Sequence, residues 1–464
     1  MTKLHFVYPT NGDMLTDAAG RLTEDGALMI EIAVEADGQP VICGKAAEKG
    51  ENGLWTAEFP MPCQGEEYTL TAKAGQREET ISVWRMADAD KKYALSVDDN
   101  IWWLAELNRD RPASIFDHPY LAIYRRAHEE FGAKVRLNLF YQVEGSAIEK
   151  YGPFNLSMMT DQYKAEFEEN SDWLHLAFHS LQEEPGKPYL NSSYEEVYED
   201  CKKVREEIFR FAGRKSYEYA TTIHFGECSK DGIRALQEQG IHALMGYIAL
   251  NKDGKPYVSY NLSTEKVLET QRYGFWRDPK TGMIYGKIDV VMNSHSPERI
   301  AEILTEEHEA HPQRGFVEIM IHEQYFHSDY KLYEPDYAER IFAGCRWCHE
   351  RGYEGAFVKD VIHYESPNLN YIYRQLKNRY DLVLTNTLAL NDGFADDRPV
   401  LCGNNGKMKF QLYSDNGLPV FNVKNMEGTA GTHDHPEGTM DAMEYVVDFM
   451  EGRDQWKLTP YLEK

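Results

Sequence analysis

Residues 93–99 read YALSVDD, a short apolar run that ends in two aspartates, and the helical pattern FDHPYLAIYRRAHEEF follows it. The same succession of an apolar strand and an amphipathic helix recurs behind strand patterns at 134–141, 173–180, 219–225, 288–294 and 315–323. Such alternation is typical of parallel strands joined by crossover helices. About seven or eight units of this kind predict an α/β fold with a (β/α)7-8 barrel, in which the loops after the strands collect at one rim.

The chain before and after the barrel has a different pattern. Short alternating runs such as LMIEIAVEA and YTLTAKA, separated by Gly, Asp and Asn turns, predict an all-β, immunoglobulin-like sandwich over residues 1–88. The barrel is then expected to occupy residues 89–365 and to carry the catalytic site. From residue 366 to 464 the alternation becomes irregular, and the pattern assigns no function to this C-terminal segment.

The composition excludes some classes of partner. The 464 residues include 76 acidic and 50 basic side chains, a formal charge of −26, which repels nucleic acid and anionic membranes. No apolar run approaches the roughly 18 residues of a membrane span, and the N-terminus lacks the apolar core of a signal peptide. We therefore expect a cytoplasmic protein without nucleic-acid or membrane partners. The pattern does not indicate an oligomeric state.

Polar side chains stand at the ends of several predicted strands, where a barrel of this kind places its chemistry. They are Asp98, Asp99 and Asn100 after the first strand, His179 after the third, His224 after the fourth and His322 after the last. A single histidine at a strand end is more often structural, but a series of strands that end in acids or imidazoles indicates a shared site. Imidazole and carboxylate together suit zinc and related divalent ions, so the pattern predicts a metal centre. One shared ion requires Asp99 and His179 to lie within about 8 Å of each other.

The order and chemistry of these motifs resemble the polysaccharide deacetylases of carbohydrate esterase family 4, whose fold is a distorted strand-helix barrel. The first motif of that family looks like TFDDG, and residues 96–100 read SVDDN. The resemblance implies that Asp98 is the general base and Asp99 a metal ligand. The last motif is similar to IMIHEQ at 319–324, which implies that His322 is the general acid. The arginine-containing third motif of the family has no clear counterpart here.

The second motif of the family is usually H-S/T-x-x-H, and residues 179–183 read HSLQE. His179 matches as a ligand, whereas Glu183 stands where the second histidine is expected. The third ligand is therefore either Glu183 or His224. We favour His224, because neutral imidazole commonly binds a zinc-like ion and a glycine lies nearby in HFGE.

These motifs lead to the hypothesis of a hydrolase that uses a divalent metal ion, zinc, to remove an acetyl group from an N- or O-acetylated sugar or polysaccharide. The candidate sugar-binding residues are Asn100, Trp103, Glu227 and Tyr325. One alternative is a glycoside hydrolase on a related barrel, with Asp98 paired with Glu183, Glu227 or Glu323. Another alternative is a carbohydrate-binding protein that has no activity. The cluster His433-Asp434-His435 is assigned to a turn and left out of the site.

Overall fold

The computed structural model describes residues 3–362 and, beyond them, only the backbone of short strands. The chain divides into two compact units, Met1–Ile362 and His363–Lys464. In the second unit the strands are Asn370–Leu376, Arg379–Thr385, Val400–Leu401, Lys407–Ser414, Phe421–Asn425, Ala430–His433, Glu437–Asp441, Tyr445–Phe449 and Trp456–Leu462. The side chains of the His433–His435 cluster lie outside the described residues, as do the other side chains of the predicted C-terminal segment.

A closed ring of parallel strands forms the centre of the first unit. In chain order the barrel strands are Lys92–Asn100, Val135–Phe140, Leu174–Ser180, Ala220–Thr221, Ala243–Gly246, Ile284–Lys287 with its continuation Val290–Val291, and Phe316–His322. Each pairs in parallel with the next, except that the third strand is bridged through Leu176 to Tyr217, which lies just before the fourth strand. The seventh strand pairs with the first, which closes the ring. The predicted α/β class is confirmed.

The interior of the ring is polar. In Val135–Phe140 every residue is buried, and successive side chains point to opposite faces. Asn138 and Arg136 therefore share the face that looks into the ring, while the alternating aliphatic residues pack outward. Arg136 donates to Glu318 at 2.6 Å. A buried charge needs such a partner, so this pair allows ionised groups inside the ring below the site.

Helices alternate with the strands and cover the outside of the ring. They are Trp102–Asp110, Pro119–Phe131, Ala147–Tyr151, Lys164–Glu169, Tyr194–Phe211, Lys230–Glu238, Thr264–Tyr273, Pro297–Ala310, Tyr337–Glu350 and Val358–Ile362. Several begin at a serine whose side chain accepts a backbone N–H of the first turn, as expected for N-caps. These serines are Ser193, Ser229, Ser263 and Ser296.

Two mainly antiparallel sheets precede the ring. One contains Leu4–Tyr8, Arg21–Leu22, Leu28–Ala36, Glu48–Lys49 and Trp55–Met61. The other contains Asp13–Leu15, Val41–Ile42, Lys45–Ala46, Glu66–Ala74 and Arg77–Arg85. Alternate apolar residues of both sheets form one buried cluster that includes Leu28, Ile32, Leu70 and Val83. The predicted antiparallel β region is therefore present, and its immunoglobulin-like topology stays a prediction.

The second of these sheets continues into the barrel. Asp13–Leu15 pairs with Arg77–Arg85 on one side and with Phe275–Arg277 on the other. Phe275–Arg277 in turn pairs with the sixth barrel strand. Main-chain hydrogen bonds thus join the N-terminal sheets to the ring. Within the described part of the chain, none of the helices has the length and apolar character needed to cross a bilayer.

Candidate metal centre

An irregularity at the end of the first barrel strand positions the two aspartates. The pairing with the second strand shifts register between Val97 and Asn100, so that Asp98 and Asp99 together stand opposite one residue. Asp99 adopts a left-handed backbone conformation with φ of 65°. A bulge of this kind re-aims the side chains at a strand end. It turns Asp99 towards the third and fourth strands while Asp98 stays directed into the ring.

Asp99, His179 and His224 meet at one point. His179 Nε2 lies 3.0 Å from Asp99 Oδ1 and 3.1 Å from His224 Nδ1, and His224 Nδ1 lies 3.3 Å from Asp99 Oδ1. The three residues are 6%, 1% and 4% exposed. The predicted convergence of Asp99 and His179 is confirmed, and the structure brings His224 to the same point.

The other nitrogen of each imidazole donates to a main-chain carbonyl. His179 Nδ1 lies 2.5 Å from the Thr222 oxygen, and His224 Nε2 lies 3.0 Å from the Glu183 oxygen. A carbonyl can only accept, so these nitrogens carry the protons and the nitrogens that face Asp99 are unprotonated in neutral rings. Outer hydrogen bonds of this kind orient histidines that ligate metals. In neutral rings, two lone pairs and a carboxylate oxygen therefore converge at this point.

This donor set fits a divalent ion. Ligands at about 2.0–2.2 Å in a tetrahedral zinc site lie roughly 3.4 Å from one another, close to the separations seen here. Two imidazoles and one carboxylate also leave a fourth position for water or substrate. The buried triad could therefore bind a metal, and its chemistry suits zinc.

The pKa values of the Asp99 and Glu183 carboxyl groups are shifted in opposite directions. Burial raises the pKa of Asp99, but the adjacent imidazoles of His179 and His224 outweigh it and hold the pKa well below its usual range. Burial also lowers the pKa of His179, and the charges of Asp98 and Asp99 reverse the direction and raise it. The pKa of Glu183 is raised by burial and then by the charge of Asp99.

The main-chain oxygen of Glu183 accepts a hydrogen bond from His224, and the Glu183 carboxylate is not part of the triad. The carboxylate accepts instead from Gln324. Of the two alternatives for the third donor, the geometry thus favours His224.

Asp98 is held by an amide that the sequence analysis missed. Asn138 Nδ2 donates to Asp98 Oδ1 at 2.5 Å, and Thr221 Oγ1 lies 3.1 Å from Asn138 Oδ1. All three residues are buried. The signal was present as an asparagine inside the apolar strand KVRLNLFY, where a polar side chain on the inner face requires a partner.

His322 lies beside Asp98 in the paired first and seventh strands. Its Nδ1 donates to Asn293 Oδ1 at 2.8 Å, which leaves Nε2 for proton exchange. Asp98, His322 and the triad line a cavity of about 510 Å³, here called the metal cavity. Tyr325 also lines this cavity, and its contact with a substrate stays a prediction.

Three other predicted sugar-binding residues lie elsewhere. Asn100 and Trp103 are fully buried, and Asn100 Oδ1 accepts from Trp103 Nε1 at 3.1 Å. Side chains without exposed surface cannot touch a sugar, so their predicted role is corrected to a structural one. Glu227 is 7% exposed, lies 3.8 Å from Lys187 and does not line the metal cavity, which does not favour its predicted role either.

Comparisons with known proteins give distant matches. No family model matches the sequence, and no curated protein does. A 4-alpha-glucanotransferase from Thermococcus litoralis matches 59% of this chain and 40% of its own, with 13% identity and a TM-score of 0.38. A family 4 acetyl xylan esterase from Clostridium thermocellum, in complex with cobalt, matches 57% of this chain and 86% of its own, with 13% identity and a TM-score of 0.31. A peptidoglycan N-acetylglucosamine deacetylase matches 60% and 92%, with 9% identity and a TM-score of 0.34.

All three TM-scores are low, so the description of the site rests on its own geometry. The chain is distantly similar in structure to polysaccharide deacetylases of carbohydrate esterase family 4, and it contains a buried Asp-His-His triad.

Proposed function

We propose that this protein is a metal-dependent hydrolase that removes an acetyl group from an N- or O-acetylated sugar or polysaccharide, with zinc held by Asp99, His179 and His224. One observation carries the proposal: two imidazoles of fixed tautomer and a carboxylate present three acceptor atoms to one another at 3.0–3.3 Å. With neutral imidazoles such an arrangement is repulsive unless a cation binds there, and buried acceptors of this kind are characteristic of metal sites. The cavity beside them leaves room for a substrate.

The residues around the triad supply the acid and base. A zinc ion bound there would lower the pKa of a water molecule and polarise an acetyl carbonyl. Asp98, held by Asn138, accepts the proton of the attacking water. His322, oriented by Asn293, donates a proton from Nε2 to the leaving amine or alcohol. Tyr325 lies on the cavity wall and contacts the sugar.

The glycosidase alternative requires a second carboxylate to act with Asp98, and the three candidates are Glu183, Glu227 and Glu323. Both oxygens of Glu323 are occupied, since they accept the backbone N–H groups of Ile101 and Trp103 at 2.6 Å at the start of a helix. Glu227 does not line the metal cavity. Glu183 is the remaining partner for Asp98, and its carboxylate is engaged by Gln324. Among the carboxylates considered, a glycosidase mechanism is therefore limited to the pair Asp98 and Glu183.

The experiment is a comparison of acetate and reducing-sugar release from acetylated glycans by the zinc-loaded protein. Acetate release is expected, and Asp98→Asn should lower kcat by about 10²–10⁴-fold without loss of zinc, because it removes the base but not a ligand. Glu183→Gln is the matched control, which keeps the main-chain carbonyl that orients His224. Unchanged turnover in Asp98→Asn contradicts the role of Asp98. Release of reducing sugar supports the glycosidase, and binding without turnover supports the inactive carbohydrate-binding protein.

The domain boundaries and the location of the protein are further proposals. We propose that residues 89–365 form a deacetylase-like catalytic barrel and that residues 1–88 form an immunoglobulin-like sandwich that packs beside it. The cytoplasm remains the proposed location, on the evidence of sequence alone.

A further inference from the structure

His322, the proposed general acid, is held by a short turn at the end of the neighbouring strand. The turn is Met292–Ser294, and Asn293 Oδ1 accepts from His322 Nδ1 at 2.8 Å and from the His322 main-chain N–H at 3.3 Å. The His295 N–H donates to the Met292 oxygen at 3.2 Å and closes the turn. So short a turn fixes little of its own conformation, so the position of Asn293 depends on contacts from outside.

Arg340 supplies such a contact from the helix Tyr337–Glu350. Its Nη1 donates to the Asn293 main-chain oxygen at 2.9 Å, across 47 residues of sequence. Asn293 is 5% exposed, so its carbonyl has little access to water, and a buried acceptor without a partner is costly. The guanidinium of Arg340 therefore fixes the main chain of the residue whose side chain orients His322.

The other arms of the guanidinium bind the segment that follows His322. Arg340 Nη2 donates to Glu334 Oε2 at 2.7 Å, and Nε donates to Asp336 Oδ1 at 2.8 Å. The main-chain N–H of Glu334 donates in turn to the Tyr325 oxygen at 2.9 Å. A planar guanidinium holds several acceptors in a fixed arrangement. Arg340 therefore joins the turn beside His322 to the segment after it.

The same helix approaches the turn at a second point. Gly344 lies one helical turn after Arg340, and a Cβ added there would stand 2.8 Å from Met292 Sδ. Residues four apart share one face of a helix, so Arg340 and Gly344 both face the turn. The helix and the turn are thus in close contact, and Arg340 is the polar part of that contact.

We propose that Arg340 is a positioning residue for the proton transfer, because it holds Asn293 so that His322 Nε2 is directed at the leaving group. The inference rests on the proposed function, which takes His322 as the acid. When the bond from the acetyl carbon to nitrogen or oxygen breaks, the leaving atom keeps the electron pair and takes the proton from Nε2. Arg340 transfers no proton itself. A misplaced acid slows those reactions whose leaving group needs a proton.

Leaving groups that differ in this need separate positioning from a structural role. One probe is 4-nitrophenyl acetate, whose phenolate leaves without a proton. The others are acetylated xylan and the β-linked tetramer of N-acetylglucosamine. In the zinc-loaded full chain, Arg340→Met should lower kcat for the sugar probe that the wild type turns over by about 10–100-fold, with KM and zinc content unchanged. For 4-nitrophenyl acetate, kcat should change by less than about twofold, and His322→Ala should show the same contrast.

Two further variants keep the contrast interpretable. Arg340→Lys keeps a charge beside both acids but lacks the planar fork, so it should give an intermediate loss and carries the test if Arg340→Met does not fold. Arg85→Met is the matched control. Arg85 is a buried arginine of the N-terminal sheets, whose Nε lies 2.8 Å from Asp17 Oδ1 and whose Nη1 lies 2.7 Å from the Met61 oxygen. This control should turn over every probe as the wild type does, per folded molecule.

The proton on His322 Nδ1 gives a readout that does not depend on turnover. In the full chain with ¹⁵N-labelled histidine, the hydrogen bond to Asn293 should protect this proton from exchange with water. The resulting ring N–H signal is identified by its absence in His322→Ala. It should be lost in Arg340→Met, because Asn293 is no longer held in place, and it should remain in Arg85→Met.

Equal losses for 4-nitrophenyl acetate and the sugar probe overturn the inference, as does unchanged sugar turnover in Arg340→Met. A His322 Nδ1 proton that stays protected in Arg340→Met, or one that is lost in Arg85→Met as well, also overturns it. If the wild type releases acetate from neither sugar probe, the proposed hydrolase is refuted. Protection of the Nδ1 proton then decides by itself whether Arg340 positions His322.

Discussion

The two ends of the third barrel strand carry buried histidines in different surroundings. His175 and His179 are four residues apart in Leu174–Ser180. His175, at the N-terminal end, donates to the Glu218 carboxylate at 2.9 Å, and its ring stacks on Phe357 with centroids 3.7 Å apart. His179, at the C-terminal end, faces Asp99 and a second imidazole.

The two histidines differ in the balance of hydrogen-bond donors and acceptors around their rings. At His175 one N–H meets one carboxylate, and the pair is complete without a further atom. At His179 the N–H is directed away to a carbonyl, and the remaining acceptors of the cluster face one another. Burial and a carboxylate neighbour are common to both ends, so neither marks a functional site. The converging acceptors distinguish the candidate metal centre, and they lie at the strand end where barrels place their chemistry.

Replacing His179 should have the largest effect. His179→Ala removes one of the three proposed zinc ligands, and we expect zinc binding to be lost. We expect kcat to fall by about 10³-fold or more, which raises the activation barrier by at least about 4 kcal/mol. Metal analysis and acetate release measure the two effects. Zinc at about 100 times its Kd should stabilise the wild type by about 2.7 kcal/mol and leave the variant unchanged in thermal unfolding. A variant that keeps both zinc and activity would show that the triad is structural.

Replacing His175 should change stability instead. His175→Ala leaves the fully buried Glu218 without its partner, and we expect the free energy of unfolding to fall by about 3 kcal/mol in urea titrations. His175→Gln is the matched control, since its amide can still donate to the carboxylate. Zinc content and turnover per folded molecule should be unchanged in both. Loss of zinc in either variant would mean that the two strand ends are coupled and would break the comparison.

The smallest effect is on the pH dependence of stability. Burial lowers the pKa of His175 below 6.5, despite the opposing hydrogen bond to Glu218. As the pH falls through 6.5 the unfolded chain binds a proton that the folded protein does not, so His175 makes the wild type less stable in acid. Between pH 7 and pH 5 this contribution is at most about 2 kcal/mol. The wild type should therefore lose more stability than His175→Gln over that interval, and parallel profiles in urea unfolding would contradict the assignment.

The strands of the fold could be predicted from local pattern alone. Runs such as YALSVDD and WLHLAFHS are apolar over the length of a strand, and amphipathic segments separate them, so the parallel arrangement follows. The site was predicted in part for the same reason, because acids and histidines at strand ends meet at one rim. Asn138 and Asn293 were missed, since an amide that orients another side chain has no distinctive spacing along the chain. Asn100 and Trp103 were misassigned, because nearness to a motif in sequence does not show which side of the chain is exposed.

The sequence by itself determined the alternation of strands and helices, the negative charge and the residue types available at the rim. Only the tertiary structure decided between Glu183 and His224. Asp99 and His179 are 80 residues apart, and His179 and His224 are 45 apart, so their meeting depends on the closure of the ring. The roles also depend on a bulge at Asp99 and on two carbonyls that set the histidine tautomers. These are backbone features, and a carbonyl oxygen is present at every position whatever the side chain, so no residue letter records which one a distant histidine will meet.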